Sequence, residues 1–307
     1  MSENGKPKLL LIDGNNLCYR VHWTHRNLMC KGKYVSVLFG VLKSLISLKK
    51  KYADYMFVFV WDGGYARRKQ ESEQGVASGL IPSTYKANRH KEEEIPEELQ
   101  SMFVQMDELK EVLDDIKVFQ VAIDGYEADD IIYSYVLKNY KRGGESVIIT
   151  SDKDFYQLLK DGVKLYDPLN SETWTRERFS EEFGFEPELW VDVGAIQGDK
   201  SDNIHGVPGW GPVLSTRYVR EYGNIDCIRL VLEEKAKLGK KAKLGKKEET
   251  YLVNKERLKL AKSLKQMDFI PSVPKLRFTR RYERKSIEQF CLRYGFASLL
   301  KDLWRLL

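Results

Sequence analysis

An α/β fold with a doubly wound, mainly parallel sheet is predicted for this chain from three observations. Short apolar runs of strand length alternate with longer stretches whose apolar residues recur at helical spacing. Several of those runs stop at an aspartate, where a strand would meet its following loop. With 307 residues, the chain is long enough for one sizeable core with a smaller unit attached.

The elements follow in order. The run LLLID, ending at Asp13, is a buried strand that stops at Gly14, Asn15 and Asn16. Apolar positions 35, 38, 39, 42, 45 and 46 mark an amphipathic helix over Val35 to Leu48. MFVFVWD, residues 56 to 62, repeats the pattern of an apolar strand ending in Asp62 and two glycines. Residues 65 to 95 break it: they are polar, basic at Arg67, Arg68, Lys69, Lys86, Arg89 and Lys91, and carry Gly75 and Gly79. So long a stretch without apolar anchors reads as a loop, and such loops are commonly functional or disordered. Leu99, Met102, Phe103, Met106, Leu109, Val112, Leu113 and Ile116 then mark a long helix begun at Pro96.

A third strand, VFQVAI at 118 to 123, runs directly into DGYEADD, which packs Glu127, Asp129 and Asp130 into one helical turn. Acids at a helix N-terminus are favoured by its dipole, so a capping role is the plain alternative to a functional one. Beyond them Ile131, Ile132, Tyr135 and Val136 give a helix face that ends near Gly143 and Gly144. SVIIT, 146 to 150, is a fourth strand followed at once by Asp152 and Asp154, and VKLYD, 163 to 167, is a candidate fifth.

Ligands of doubly wound sheets bind outside the carboxyl ends of the strands. That rule collects Asp13, Asp62, Glu127, Asp129, Asp130, Asp152 and Asp154 along one edge, and Asp199 and Asp202 of GDKSDN add to them. So many carboxylates repel one another unless a cation offsets their charge. All-oxygen donors favour Mg²⁺, with Mn²⁺ as a substitute, over zinc. His22 and His25 are read as surface or packing residues. Two such ions about 3.5–4 Å apart form an arrangement suited to phosphodiester hydrolysis. Lys86 and Arg89, three positions apart, add charge stabilisation if their segment is helical.

The formal charge is +6, spread unevenly in basic clusters at 67–69, 86–91, 235–247 and 275–285, which indicates a polyanionic partner. The 4 Cys form no CxxC pair, as expected of a reducing compartment. No apolar run approaches the roughly 20 residues needed to cross a bilayer, so a cytoplasmic protein without membrane contact is expected. GVPGWGP, 206 to 212, opens onto a helical run and lets its backbone approach phosphate; we read a helix–hairpin–helix grip on DNA. The doubled KAKLGK hexad at 235–247 is either a backbone-tracking segment, through residues such as Lys240 and Lys241, or a solvated spacer. SIEQFCLRYGFASLLKDL is expected to be a docking helix.

In sequence order, LLLIDGNNL, VFVWD, YKANR, GYEADD, TSDKD and GDKSDN followed by GVPGWG resemble the successive signatures of the 5′-nuclease family. That family comprises phage 5′ nucleases and RNase H-type exonucleases, flap endonucleases, and the 5′→3′ exonuclease domain of bacterial DNA polymerase I. The resemblance implies a PIN-like sheet and makes the nine acids above the metal site. It places Lys86 and Arg89 in a helical arch over 65–95, with Arg67, Arg68, Lys69 and Tyr85 beside the DNA, and Tyr19 where a base stacks, worth about 1–3 kcal/mol. Gly206, Gly209 and Gly211 would grip the duplex, and Val207 and Gly209 would hold K⁺ through their carbonyls. After GWG the family often has lysine where this chain has Pro212.

The implied layout is a nuclease domain over 1–190, a helix–hairpin–helix region over 191–275 and a docking segment over 276–307. The implied activity is a two-metal, structure-specific 5′ nuclease in replication or repair, acting on branched, nicked or RNA-primed DNA and leaving a 5′-phosphate and a 3′-hydroxyl. Expected partners are duplex DNA with a 5′ single strand, an RNA–DNA hybrid, and replication proteins such as a polymerase or single-strand binding protein. A monomer in a bacterial or phage-infected cell is expected. Two rivals stand beside it: a non-catalytic binder of branched DNA, and a Mg²⁺-dependent phosphatase of small esters.

Overall fold

The computed structural model describes residues 6–89, 96–238, 243–276 and 284–303. Lys91, Lys240 and Lys241 therefore lie outside the described residues. The first half runs β1 (Lys8–Asp13), α1 (Gly14–Thr24), a small hairpin of β2 (Met29–Cys30) and β3 (Lys33–Tyr34), α2 (Ser36–Lys51) and β4 (Met56–Val60). It continues with α3 (Ala66–Ala77), α4 (Glu97–Asp115), β5 (Phe119–Val121), α5 (Ala128–Tyr140), β6 (Glu145–Ile149), a 3₁₀ turn (Lys153–Leu158), β7 (Val163–Asp167) and β8 (Glu172–Trp174). The main sheet has the order β5-β4-β1-β6-β7-β8.

Five strands are parallel, and β8 alone pairs antiparallel, on β7. The chain leaves β1 to one side for β4 and returns to its other side for β6, so the topological switch lies at β1 and β6. Register aligns their ends: Asp13 pairs with Val60 and Ile12 with Ile149. Asp62 and Asp152 thus emerge beside Asp13 at one edge.

Strand alternation divides the core. Leu10, Ile12, Phe59, Val147 and Ile149 face α1, α2 and α4, while Leu9, Leu11, Val58, Val60 and Ile148 face α5 and the later helices. The expected single docking helix is two, α12 (Arg284–Arg293) and α13 (Ala297–Leu303). Gly295 separates them at φ +69, where a Cβ would come within 2.6 Å of the Cys30 sulfur. Ile287, Phe290, Cys291 and Leu303 nevertheless join the first core face.

The second half is helical: α6 (Arg176–Phe183), a 3₁₀ turn (Pro187–Leu189), α7 (Trp190–Gln197), α8 (Pro212–Tyr222), α9 (Ile225–Lys237), α10 (Lys246–Val253) and α11 (Lys255–Lys265). One expectation is corrected here. Residues 66–77 of the supposed loop form α3, packed against α11. Its buried face consists of Arg68, Ser72 and Gly75, and a Cβ on Gly75 would stand 2.5 Å from Leu260 Cδ2. A helix buried through charge and small residues carries no apolar stripe, which is why its sequence reads as loop. No helix among the described residues is long and apolar enough to cross a membrane.

Candidate metal centre

The local sequence after each strand fixes its acid. Asp13 caps α1: its Oδ1 accepts from the Asn16 amide at 3.0 Å, and Oδ2 accepts from Thr150 Oγ1 at 3.1 Å. Gly14 is needed because a Cβ there would lie 2.6 Å from the Trp61 ring. Asn15 and Asn16 staple the neighbouring strand ends, accepting from the amides of Asp62 (3.2 Å) and Ser151 (3.1 Å). Asp62 in turn accepts from the Ala128 amide at 2.8 Å and so caps α5. Asp152 caps the 3₁₀ turn through the Asp154 amide at 2.8 Å.

Among the described residues, Asp154, Asp199 and Asp202 form the one set of three acids whose oxygens lie within 4.8 Å of one another. Lys265 Nζ bridges Asp154 and Asp199 at 2.6 Å each. Lys86 pairs with Glu127 and lies 3.9 Å from Asp202, and Arg89 meets Asp202 at 2.9 Å. Lys86 adopts φ +56, and its amide donates to the Asp202 carbonyl at 2.9 Å, so the segment bearing both cations is anchored on the acid loop. The donors are all oxygen and are already drawing cationic side chains, which fits a hard divalent ion.

Several expected contacts are relocated. Arg68 is 2 % exposed and faces inward, bonded to Glu127 (2.5 Å), Asp130 (2.9 and 3.0 Å), Asp129 (3.2 Å) and the carbonyls of Leu264 and Gln266. Arg67 is spent on Glu71, Asp268 and the carbonyls of Ser263 and Gln266. Arg68 is thus closed off from solvent by the acids of α5 and the end of α11, whereas Arg67 keeps part of its surface open. Asp130 accepts from both Arg68 and the Asp268 amide (2.7 Å), so its carboxylate is tied to α3 and to the chain just after α11. Tyr85 is buried, not exposed to a strand, and its hydroxyl reaches Glu127 (3.1 Å) and Asp202 (3.4 Å). His22 packs in the interior against Ser36.

Other residues remain open. Lys69 is exposed, and Tyr19 is 49 % exposed with Trp23 edge-on at 6.0 Å, an aromatic neighbour the sequence reading did not single out. Gly209 and Gly211 have open space around them, whereas Gly206 is locked: a Cβ there would stand 2.4 Å from both Gly198 N and the Ile196 carbonyl. Trp210 anchors the hairpin, buried beside Tyr218 and Tyr251, and Val207 is buried with it.

Burial, and after it the charge of Asp62, pushes the Asp13 carboxyl up to about 7. Asp152 is also pushed to about 7, by loss of water and by Asp154. Because the Asp152 residue keeps open surface, Asp13 is the better reporter. Asp199 goes the other way, to about 2: burial opposes its charge, but Lys265 outweighs it. For Asp13 the folded value exceeds the reference 3.8, so the folded state binds more protons between those values and stability falls as pH rises towards 7. Without divalent ions the protein should therefore melt lower at pH 8 than at pH 5.5, and added Mg²⁺ should raise the melting temperature more at pH 8. Equal gains at both pH values would remove Asp13 from the ion's surroundings.

Fold and edge together define a class: an α/β protein that gathers carboxylates at its topological switch point, a donor set that suits hard divalent cations. Residues 8–184 match the family described as 5′-3′ exonuclease, N-terminal resolvase-like domain, and residues 185–278 match 5′-3′ exonuclease, C-terminal SAM fold. The chain belongs to the 5′-3′ exonuclease family. It is 33% identical over 221 residues to a 5′-3′ exonuclease of Aquifex aeolicus, which covers 72% of this chain and 71% of that one. It is 30% identical over 302 residues to the thermostable DNA polymerase I of Thermus aquaticus, covering 97% of this chain and 33% of the polymerase. The chain thus spans about a third of the length of such relatives. Bacteriophage T5 5′-exonuclease with bound zinc shares the fold at TM-score 0.66 and 22% identity, over 97% of this chain and 99% of that one. The catalytic core of Rad2 in complex with DNA substrate does so at 0.60 and 17%, over 98% and 93%.

Proposed function

We propose that this chain is a Mg²⁺-dependent 5′ nuclease that hydrolyses phosphodiester bonds at branches, nicks or RNA primers in DNA. The observation that carries the reading is the meeting of the Asp154, Asp199 and Asp202 carboxylates with Lys86 and Arg89 at the switch-point edge. Asp13, Asp62, Glu127, Asp129 and Asp152 complete the oxygen-rich surround, while Asp130 holds Arg68 in place. When bound, divalent ions supply an activated water and offset charge on the attacking and leaving oxygens. Mn²⁺ meets the same donors.

The chain's own residues do the rest. Lys86 and Arg89 donate to the scissile phosphate in place of their present acid partners. Tyr19, with Trp23 behind it, stacks a base near the cut bond. The open backbone at Gly209 and Gly211, ahead of α8, holds a duplex phosphate, and the Val207 and Gly209 carbonyls take K⁺. Lys69, Lys240 and Lys241 add backbone contacts, and a polymerase or single-strand binding protein joins a monomeric enzyme in a bacterial or phage-infected cytoplasm.

The T5 flap endonuclease pseudo-enzyme-product complex with DNA and metal ions, 23% identical at TM-score 0.63, supports this choice of ligand. The test is product mapping on 5′-labelled flap, nicked-duplex and RNA–DNA substrates with and without Mg²⁺. Cleavage near the branch, yielding 5′-phosphates only with the ion, is expected. Tight branched-DNA binding with no cleavage under any divalent ion would replace the enzyme by the binder, and turnover of small phosphate esters alone would favour the phosphatase.

A further inference from the structure

Lys265 places an ammonium where the acid trio would receive a divalent ion. It is the last residue of α11, its side chain is 5 % exposed, and its Nζ touches both Asp154 and Asp199 at 2.6 Å. Packing sends it there. Leu258, Ala261 and Leu264 bury the same helix face, and Gly194 of α7 leaves room for the stem, a Cβ at that position lying 3.3 Å from Lys265 Cε. Gln157 ties the two halves together, donating to the carbonyls of Asp154 (2.8 Å) and Lys265 (3.3 Å).

We propose that Lys265 is an intramolecular competitor for the divalent ion at Asp154 and Asp199, so that this half of the centre binds metal only when the ammonium is displaced. One positive charge offsets half of the pair's charge, whereas a divalent ion offsets all of it. Both cations cannot share the pair, because like charges a few ångströms apart in a poorly solvated crevice repel strongly. Displacement has its own cost: a lysine head with so little exposure must be drawn out past α7 and α11 to regain water. An ion beside Lys265 is therefore the second and weaker to bind, after any that the acid edge holds clear of the ammonium. Filling of the second position follows the bulk ion concentration or the arrival of a phosphate that helps to draw the ion in.

This inference rests on reading Asp154 and Asp199 as metal ligands, and its test separates the two. Mn²⁺ is titrated calorimetrically into the DNA-free wild type, Lys265→Met and Lys265→Arg, with thermal melts alongside. Methionine keeps the stem volume and removes the charge; arginine keeps the charge. Lys265→Met should strengthen the weaker class of sites on the order of tenfold or more, a typical size for coupling between two ligands. Lys265→Arg should stay weak. If Lys265→Met is too loosely folded without metal, Mn²⁺-dependent refolding at concentrations that leave wild type unchanged gives the same answer. Equal isotherms for wild type and Lys265→Met, or weaker binding by the variant, overturn the competitor while leaving the metal centre standing. Absence of Mn²⁺ binding in all three proteins overturns both.

Discussion

Replacing Asp13 by Asn should lower divalent-dependent cleavage by about a thousandfold or more, equivalent to roughly 4 kcal/mol of lost transition-state stabilisation, while leaving fold and duplex binding in place. Asp13 ends the central strand and is 8 % exposed. Asparagine is as good an N-cap as aspartate, and it keeps an oxygen for the Asn16 amide or the Thr150 hydroxyl. What it removes is one negative charge at the point where Asp62 and Asp152 also converge. The variant should therefore melt at the same temperature as wild type or higher above pH 7 without metal, and should lose most of the gain on adding Mg²⁺. Single-turnover cleavage, duplex binding and paired melts measure all three quantities. A variant with wild-type turnover would place Asp13 outside the chemistry.

The same residue shows why this edge is legible in the sequence. A buried parallel strand is an apolar run, and the acid ending it at a ligand-binding edge stands out against that run; Asp62 and Asp152 follow the same grammar. The partners of those acids were not legible. Arg68 lies 196 residues from the Leu264 carbonyl it serves, and nothing near it in sequence announces that contact. Lys265 left one signal, a charged residue continuing the spacing of buried Leu258, Ala261 and Leu264. That signal is weak, because a lysine in such a place ordinarily snorkels to water.

The segment around residues 65 to 95 divides along the same line. Its cationic half near Lys86 and Arg89 was readable as chemistry, because both charges meet acids of the crevice. Its first half reads as a loop because burial of α3 is achieved by ion pairing and close approach at Gly75. β8 leaves no sequence signal for a different reason: Glu172 to Trp174 is too short to show a period, and only pairing with β7 defines it.

Arg68→Met should cost about 3–5 kcal/mol of stability in denaturant unfolding without divalent ions. Its guanidinium supplies donors to three carboxylates and two carbonyls drawn from α5 and the end of α11. Glu127 and Asp130 are 5 % and 3 % exposed, so removing the cation leaves buried negative charge with little water to offset it. Burial, and to a lesser degree the charge of Asp268, drives the Asp130 carboxyl upward, and Arg68 opposes that drive. Arg68→Lys should recover a minority of the loss, since one ammonium cannot reproduce a planar fork that reaches acceptors on two elements. Added Mg²⁺ should narrow the deficit by offering the freed Glu127 and Asp129 another cation, so the gap between variant and wild type shrinks as the ion is titrated. A loss below about 1 kcal/mol, the scale of a solvent-exposed ion pair, would show that the acids of α5 are stabilised by water and not by this arginine.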